Sequence, residues 1–171
     1  MTATQTFATY IGPAIGPAVI AIVLTAAATD LQSRRIPNWL TFGAWLLALP
    51  LQLAMHGLAQ GGSAWALGWL AGLGVFLPLY LLRGMAAGDV KLMAAVGAWL
   101  GPALALQIAL ATFVLGGLWA LVLVLKSRRH AQLARNLGSI LRTGASGPSV
   151  GSMPYGVAIA AGTLALLFAR T

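Results

Sequence analysis

Residues 10–38 read YIGPAIGPAVIAIVLTAAATDLQSRRIPN, an apolar run followed by an aspartate, two arginines and a proline. The apolar run, residues 10–29, has about the 20 residues that a helix needs to cross the hydrocarbon core of a bilayer. Charged residues follow it directly. We therefore expect a membrane helix with Asp30 at or just past its end, and the rest of the chain repeats this alternation of apolar runs and short basic stretches.

The composition of the whole chain supports a membrane protein. Of its 171 residues, 60% are hydrophobic and only 7% are charged, whereas soluble domains carry about 25% charged residues. So few charges do not cover the surface of a soluble fold, and lipid must therefore surround much of the chain. The net charge of +8 does not indicate nucleic acid binding, because the basic residues lie between apolar runs rather than on a polar face.

The residue types also limit the chemistry. The chain has no cysteine, which excludes disulfides, thiolate catalysis and Cys-based zinc sites. Its two histidines, His56 and His130, are too far apart in sequence to indicate a metal site by themselves. We expect neither a metal nor a cofactor.

Six apolar segments predict an all-α, polytopic bundle of transmembrane helices that forms a single domain over residues 1–171. They cover residues 10–29, 39–55, 63–82, 90–100, 103–125 and 150–169. At about 1.5 Å per residue the fourth segment spans only about half a bilayer core. It is either a half-helix covered by its neighbours or a helix that begins before Asp89. In the third segment, the spacing of Gly68 and Gly72 allows another helix to approach closely.

Lysine and arginine predict the orientation, because in short loops they lie on the cytoplasmic side. With six spans and the N-terminus outside, nine of the ten lysine and arginine residues fall on the cytoplasmic side, and only Arg170 falls on the other. The turns at residues 56–62 and 101–102 carry neither residue type. The basic loop of about residues 126–149 is expected in the cytoplasm, either as an amphipathic helix on anionic lipid or as a solvated loop.

Asp30 and Asp89 are the only acidic residues, and this topology puts both near the cytoplasmic face. Ionisable groups at membrane depth are costly and indicate functional sites. Two carboxyl groups that share a proton can hydrolyse a peptide, one as the base toward water and the other as the acid toward the carbonyl. Structural roles stay open: Asp30 could pair with Arg34, four residues on, and Asp89 could be a helix N-cap.

Helix ends suggest how the two aspartates divide these tasks. Asp30 is expected at a helix C-terminus, where the dipole disfavours a negative charge, and Asp89 near an N-terminus, where it favours one. On this argument Asp89 is the base and Asp30 the acid. Arg34 opposes the assignment, since a nearby cation stabilises Asp30 as the anion.

The residues around both aspartates resemble the type IV prepilin peptidase family. Residues 30–38 (DLQSRRIPN) and 84–92 (GMAAGDVKL) are similar to its first and second motifs, and residues 154–162 (PYGVAIAAG) are similar to its last span. The resemblance implies that Asp30 and Asp89 are catalytic. It also implies supporting roles for the other motif residues, which are Pro37, Asn38, Gly88, Lys91, Pro154, Tyr155 and Gly156.

One position departs from the family pattern. The family shares Gly-x-Gly-Asp, whereas this chain has Ala86-Ala87-Gly88-Asp89. Glycine permits a close backbone approach and a positive φ, whereas alanine adds a methyl group, so the sequence does not support a tightly pressed backbone at this point. We expect activity to survive because Gly88 is retained, with a change in substrate fit left open.

The resemblance implies a function for the whole chain. It implies an aspartic endopeptidase of the bacterial inner membrane that removes a short basic leader from prepilins or pseudopilins at the cytoplasmic face. Its expected partners are this substrate, a bilayer with an anionic cytoplasmic leaflet, and the pilus assembly machinery. Larger family members methylate the new N-terminus and carry a zinc domain with paired Cys-x-x-Cys. This chain lacks the cysteines and has no room for the domain between its first spans, so it resembles the short, peptidase-only form associated with Flp or Tad-type pili.

Two other functions stay open on the sequence alone. The chain could be a transporter or channel in which Asp30 and Asp89 carry protons or cations. It could also be a non-enzymatic subunit of a pilus assembly machine, which should work with both aspartates replaced by asparagine.

Overall fold

The computed structural model describes the backbone of residues 3–126 and 154–169, with side chains for residues 14–122 and 154–169. Four helices make up this part: α1 (Ala3–Ser33), α2 (Asn38–Leu81), α3 (Ala87–Lys126) and α4 (Tyr155–Phe168). These residues contain no strand, which confirms the all-α prediction for the described part. The predicted basic loop, about residues 126–149, lies outside it except for Lys126.

Three of these helices contain apolar stretches long enough to cross a membrane, at Ala14–Ser33, Asn38–Leu81 and Ala87–Val122, and α4 is apolar but shorter. The chain is therefore an all-helical membrane protein in its described part. The number of six spans and the orientation stay predictions. The first helix continues past the predicted end at residue 29 to Ser33, so Asp30 lies inside its last turn rather than beyond it.

Glycines interrupt the two longest helices. Gly57 (φ 76°, ψ 174°) lies within α2 and Gly101 (φ 77°, ψ 171°) within α3, in a region of backbone space that glycine enters readily. In α2 the chain folds back at this point. The Trp65 indole N–H donates to the Trp45 carbonyl at 3.0 Å, although a straight helix would separate the two by about 30 Å at about 1.5 Å per residue.

The same fold-back occurs in α3, where a Cβ placed on Gly97 would lie 3.2 Å from the Ala105 Cβ across the turn. Both long helices are therefore hairpins, with arms at residues 38–56 and 58–81 in α2 and at residues 87–100 and 102–126 in α3. The turns coincide with the two stretches, residues 56–62 and 101–102, that lack lysine and arginine.

The short arm, residues 87–100, combines both alternatives that the sequence left open. It begins before Asp89, and every residue from Leu92 to Leu100 is buried by its neighbours. A helix that stops leaves its last carbonyls without partners. Here the buried Gln52 side chain donates from Nε2 to the carbonyls of Ala98 (3.3 Å) and Trp99 (2.7 Å).

The two hairpins pack through direct backbone contact. Gly68 lies against Gly97, and Gly72 lies against Met93. A Cβ on Gly68 or Gly72 would overlap a carbonyl group of the facing arm, so the close approach predicted from their spacing is present. The surrounding core is apolar, and its largest fully buried side chain, Phe76, stacks on Phe113 with ring centroids 5.0 Å apart.

The first and last helices complete the bundle. α4 packs on the arm at residues 102–126, and most contacts of α1 are with α4 rather than with the hairpins. The loop that follows α1 and the starts of α3 and α4 meet at one end, where Gly88 lies near Ile36 and Gly156 near Asp30. We call this the aspartate end.

We expect Gly68→Ala to lower the free energy of unfolding by about 1–3 kcal/mol, as overpacking a close contact does. Its matched control is Gly74→Ala on the same arm, because a Cβ at Gly74 meets nothing within 4 Å. The control should be neutral or stabilising by up to about 1 kcal/mol, the helix propensity gained. Thermal unfolding in detergent measures both, and equal effects would contradict the backbone contact.

Candidate active site

Asp30 lies in the last turn of α1 and is 7% exposed. Its Oδ2 atom accepts a hydrogen bond of 2.9 Å from the backbone N–H of Gly156, 126 positions further along the chain. Gly156 is the second residue of α4, and N–H groups in a first helical turn have no partner within their own helix. The start of α4 therefore supplies the donor that this buried carboxylate needs.

The residues at the start of α4 make this contact possible. Pro154 precedes the helix with φ −74°, and its carbonyl accepts the Val157 N–H at 3.1 Å. Tyr155 is half-buried and its ring lies beside Gly116. At Gly156 a Cβ would lie 2.9 Å from Asp30 Oδ2 and 3.0 Å from Asp30 Cβ, so the contact requires a residue without a side chain.

Asp89 is the third residue of α3 and is 4% exposed. Its Oδ2 accepts the Ala86 N–H at 3.1 Å, and its own N–H donates to the Ala86 carbonyl at 3.1 Å. The bond from the Ala86 N–H to the Asp89 side chain is one half of a capping box, in which a side chain inside the first turn reaches back to the residue before the helix; the other bond is an ordinary backbone bond, since Ala86 has no polar side chain. The alternative of Asp89 as the N-cap itself is therefore wrong, because α3 begins two residues earlier.

The two carboxyl groups lie at the same end of the bundle, since Gly88, the neighbour of Asp89, packs against Ile36 in the loop that follows α1. Each accepts a backbone N–H at the start of a helix, α4 for Asp30 and α3 for Asp89. Asp30 thus lies between two helix ends, the C-terminus of α1, where the dipole opposes a negative charge, and the N-terminus of α4, where it favours one. The assignment of Asp89 as the base and Asp30 as the acid stays a prediction. Chemically, the pair can bind a water molecule and share one proton.

Arg34 does not lie on the helix that carries Asp30. α1 ends at Ser33, and Arg34 has φ 54°, in the left-handed region. Its backbone N–H donates to the Asp30 carbonyl at 2.9 Å. The ion pair between the Asp30 and Arg34 side chains stays a prediction.

The remaining motif residues fix the loops of the aspartate end. Pro37 (φ −68°, ψ 140°) directly precedes α2. Asn38 Oδ1 accepts a hydrogen bond of 2.9 Å from Lys91 Nζ. A Cβ on Gly88 would lie 3.2 Å from the Ile36 Cβ, so this glycine lets α3 begin close to the loop between α1 and α2.

Ala86, where the family pattern has glycine, is exposed. Outside glycine, the described residues with a positive φ are Arg34 and Arg83, so the backbone at Ala86 does not require glycine. The methyl group of Ala86 is therefore accommodated at the surface, and its effect on substrate fit stays a prediction.

The structure divides the predicted residues between two sides of the short arm. Asp30 contacts Gly156, and Lys91 contacts Asn38; Asp89 and Lys91, two residues apart, lie about 200° around the short arm from each other. Sequence reasoning gave no role to Gln52. A glutamine within an apolar run is the signal that could have indicated one. Among the described side chains no three His, Asp or Glu residues converge on a metal position.

We expect Gly156→Ala to displace the Asp30 carboxylate and to lower the free energy of unfolding by about 1–3 kcal/mol. Gly117→Ala is the control, since a Cβ there meets nothing within 4 Å. The measurement is chemical unfolding in detergent. An unchanged stability of Gly156→Ala would argue against the tight contact between α1 and α4.

Comparison with known proteins gives one match. A family model described as the type IV leader peptidase family matches residues 18–121. This range is more than half of the 171 residues and includes Asp30 and Asp89. Searches of curated proteins and of solved structures found no match.

Proposed function

Because the chain belongs to the type IV leader peptidase family, we propose that it is an aspartic endopeptidase that removes the short basic leader from prepilins or pseudopilins. The observation that carries the proposal is the pair of buried carboxyl groups, Asp30 and Asp89, at one end of the bundle. They are the only acidic residues of the chain. A fold that needed acidic side chains for solubility would place them on its surface.

The proposed reaction uses one proton shared by the pair. The ionised carboxylate takes a proton from a water molecule as the water oxygen attacks the carbonyl carbon of the scissile peptide. The protonated carboxyl group donates a hydrogen bond to the carbonyl oxygen, on which negative charge develops. The C–N bond then breaks as the leaving nitrogen takes up a proton, and the pair again shares one proton. The N–H groups of Gly156 and Ala86 hold the two carboxyl groups in place.

The membrane arrangement we propose has six spans with the aspartate end toward the cytoplasm. Its support is the pair of hairpins, which give four arms beside α1 and α4, and the charge distribution. The described basic residues next to the aspartates, Arg34, Arg35, Arg83 and Lys91, all lie in the loops or first turns of that end. Lysine and arginine favour the cytoplasmic side. The basic leader of the substrate would be cut at this face of the bacterial inner membrane.

We expect Asp30→Asn and Asp89→Asn each to lower the rate of prepilin cleavage by at least about 10²–10⁴-fold, the contribution of one acid–base group. Asparagine keeps the shape and the acceptor for the backbone N–H but removes the proton site. The assay is incubation of purified protein with a prepilin in detergent, followed by mass spectrometry of the new N-terminus. Both variants should insert and elute as the wild type does.

The double variant sharpens this test. Residues that act as one unit give losses that do not multiply, so Asp30→Asn/Asp89→Asn should be no slower than the slower single variant. Substantial cleavage by either single variant would refute the two-aspartate mechanism.

Proton flux in liposomes without prepilin cleavage would favour a transporter. Normal pilus assembly by the double variant in cells would favour a non-enzymatic subunit.

We further propose that the protein cleaves without N-methylation, as in the short form associated with Flp or Tad-type pili. The support is the absence of cysteine and the four-residue connection, residues 34–37, between α1 and α2. A zinc domain does not fit into such a loop. With added S-adenosylmethionine, the new N-terminus should keep an unmodified amine. A methyl group whose addition depends on this protein would contradict the proposal.

A further inference from the structure

A groove of about 480 Å³ opens on the opposite side of the short arm from the two aspartates. Asp89 and Lys91 lie two residues apart, about 200° around a helix. Their side chains therefore leave the short arm on opposite faces, and Lys91 is the one that lines the groove. The wall of the groove comes from both arms of α2 and from the start of α3. Its lining residues are Asn38, Thr41, Phe42, Trp45, Trp69, Leu73, Lys91 and Ala94.

The lining is polar at one end and apolar along the rest. Asn38 and Lys91 lie at the aspartate end, joined by their 2.9 Å hydrogen bond. Deeper along the arms the wall is aromatic, with Trp45 lying 5.4 Å from Phe42 and 6.1 Å from Trp69 between ring centroids. A positively charged mouth above an apolar wall fits an amphiphile with an anionic head and a hydrocarbon chain.

The charge at the mouth is not balanced by the protein. Nζ of Lys91 donates to a neutral amide oxygen. The two acidic residues of the chain are buried and accept backbone N–H groups at other positions. An ammonium group has three donors, so after the bond to Asn38 two remain for an anionic oxygen. A zwitterionic headgroup would bring its own cation, for which the chain offers no carboxylate here.

We propose that this groove binds an anionic glycerophospholipid, with its phosphate on Lys91 and Asn38 and an acyl chain along Phe42, Trp45 and Trp69. Basic pockets between membrane helices bind anionic headgroups in this way, and tryptophan belongs at the interface level of a bilayer. The bound lipid would join the first arm of α2 to the start of α3. The site is separate from the aspartates and does not depend on the proposed peptidase activity.

The test is lipid retention by the purified full chain. Delipidated protein in mild detergent receives equal amounts of phosphatidylglycerol and phosphatidylcholine with identical acyl chains, and native mass spectrometry counts the adducts. We expect phosphatidylglycerol adducts to exceed phosphatidylcholine adducts by about fivefold, which is the preference that one cation near a surface provides. Lys91→Gln should bring the ratio to about one, and Lys91→Arg should keep it.

Arg35→Gln is the matched control, because Arg35 is an exposed cation of the same end that does not line the groove. It should keep the wild-type ratio. An equal loss in Arg35→Gln would assign the preference to general surface charge and overturn the site. Equal retention of both lipids by the wild type would overturn it as well, as would a protein dimer in place of lipid adducts.

Two further experiments locate the bound lipid and distinguish it from a free phosphate. Phosphatidylglycerol with brominated acyl chains should quench tryptophan emission in the wild type, and the quenching should fall in Trp45→Phe/Trp69→Phe. Soluble glycerophosphate at the same concentration should not displace the lipid. Displacement by it would show that the site takes a free phosphate rather than a membrane lipid.

Discussion

A carboxylate inside an apolar helical bundle needs hydrogen-bond donors from the protein, because burying an unpaired charge is strongly unfavourable. Here each of the two aspartates receives one backbone N–H from the start of a helix. A backbone donor reaches a side chain only if the helix begins right beside it. The starts of α3 and α4 are therefore constrained by the carboxylates that they hold.

This requirement explains where the site uses small residues. Gly156 and Gly88 are the positions at which a Cβ would meet Asp30 and Ile36, respectively. Pro37 and Pro154 start α2 and α4 at their respective positions with φ near −70°, which proline holds without conformational cost. The motif residues around the aspartates are thus largely backbone determinants that bring helix starts to two side chains.

The membrane helices and the two candidate catalytic residues could be predicted from the sequence. The hydrogen-bond partners of the carboxylates could not, and the reason is physical. Apolar run length predicts membrane helices, and a pair of acidic residues in a chain that otherwise lacks them indicates a site. The turns at residues 56–62 and 101–102 were visible as breaks in the apolar pattern. The partners of the carboxylates were not, because the bond from Gly156 to Asp30 joins positions 126 residues apart. The same bond places a second helix end, the start of α4, beside Asp30, which a prediction from the helices adjacent in sequence does not include.

The packing of the bundle makes α4 the link between the two aspartates. The hairpins of α2 and α3 are in contact through their main chains at Gly68 and Gly72, and Asp89 belongs to this unit. Asp30 belongs to α1, which packs chiefly on α4. The last helix also packs closely on α3, where a Cβ on Gly162 would meet Thr112. A substitution that shifts α4 on α3 would therefore move the Asp30 carboxyl group relative to Asp89, even if the hydrogen bond from Gly156 stayed intact.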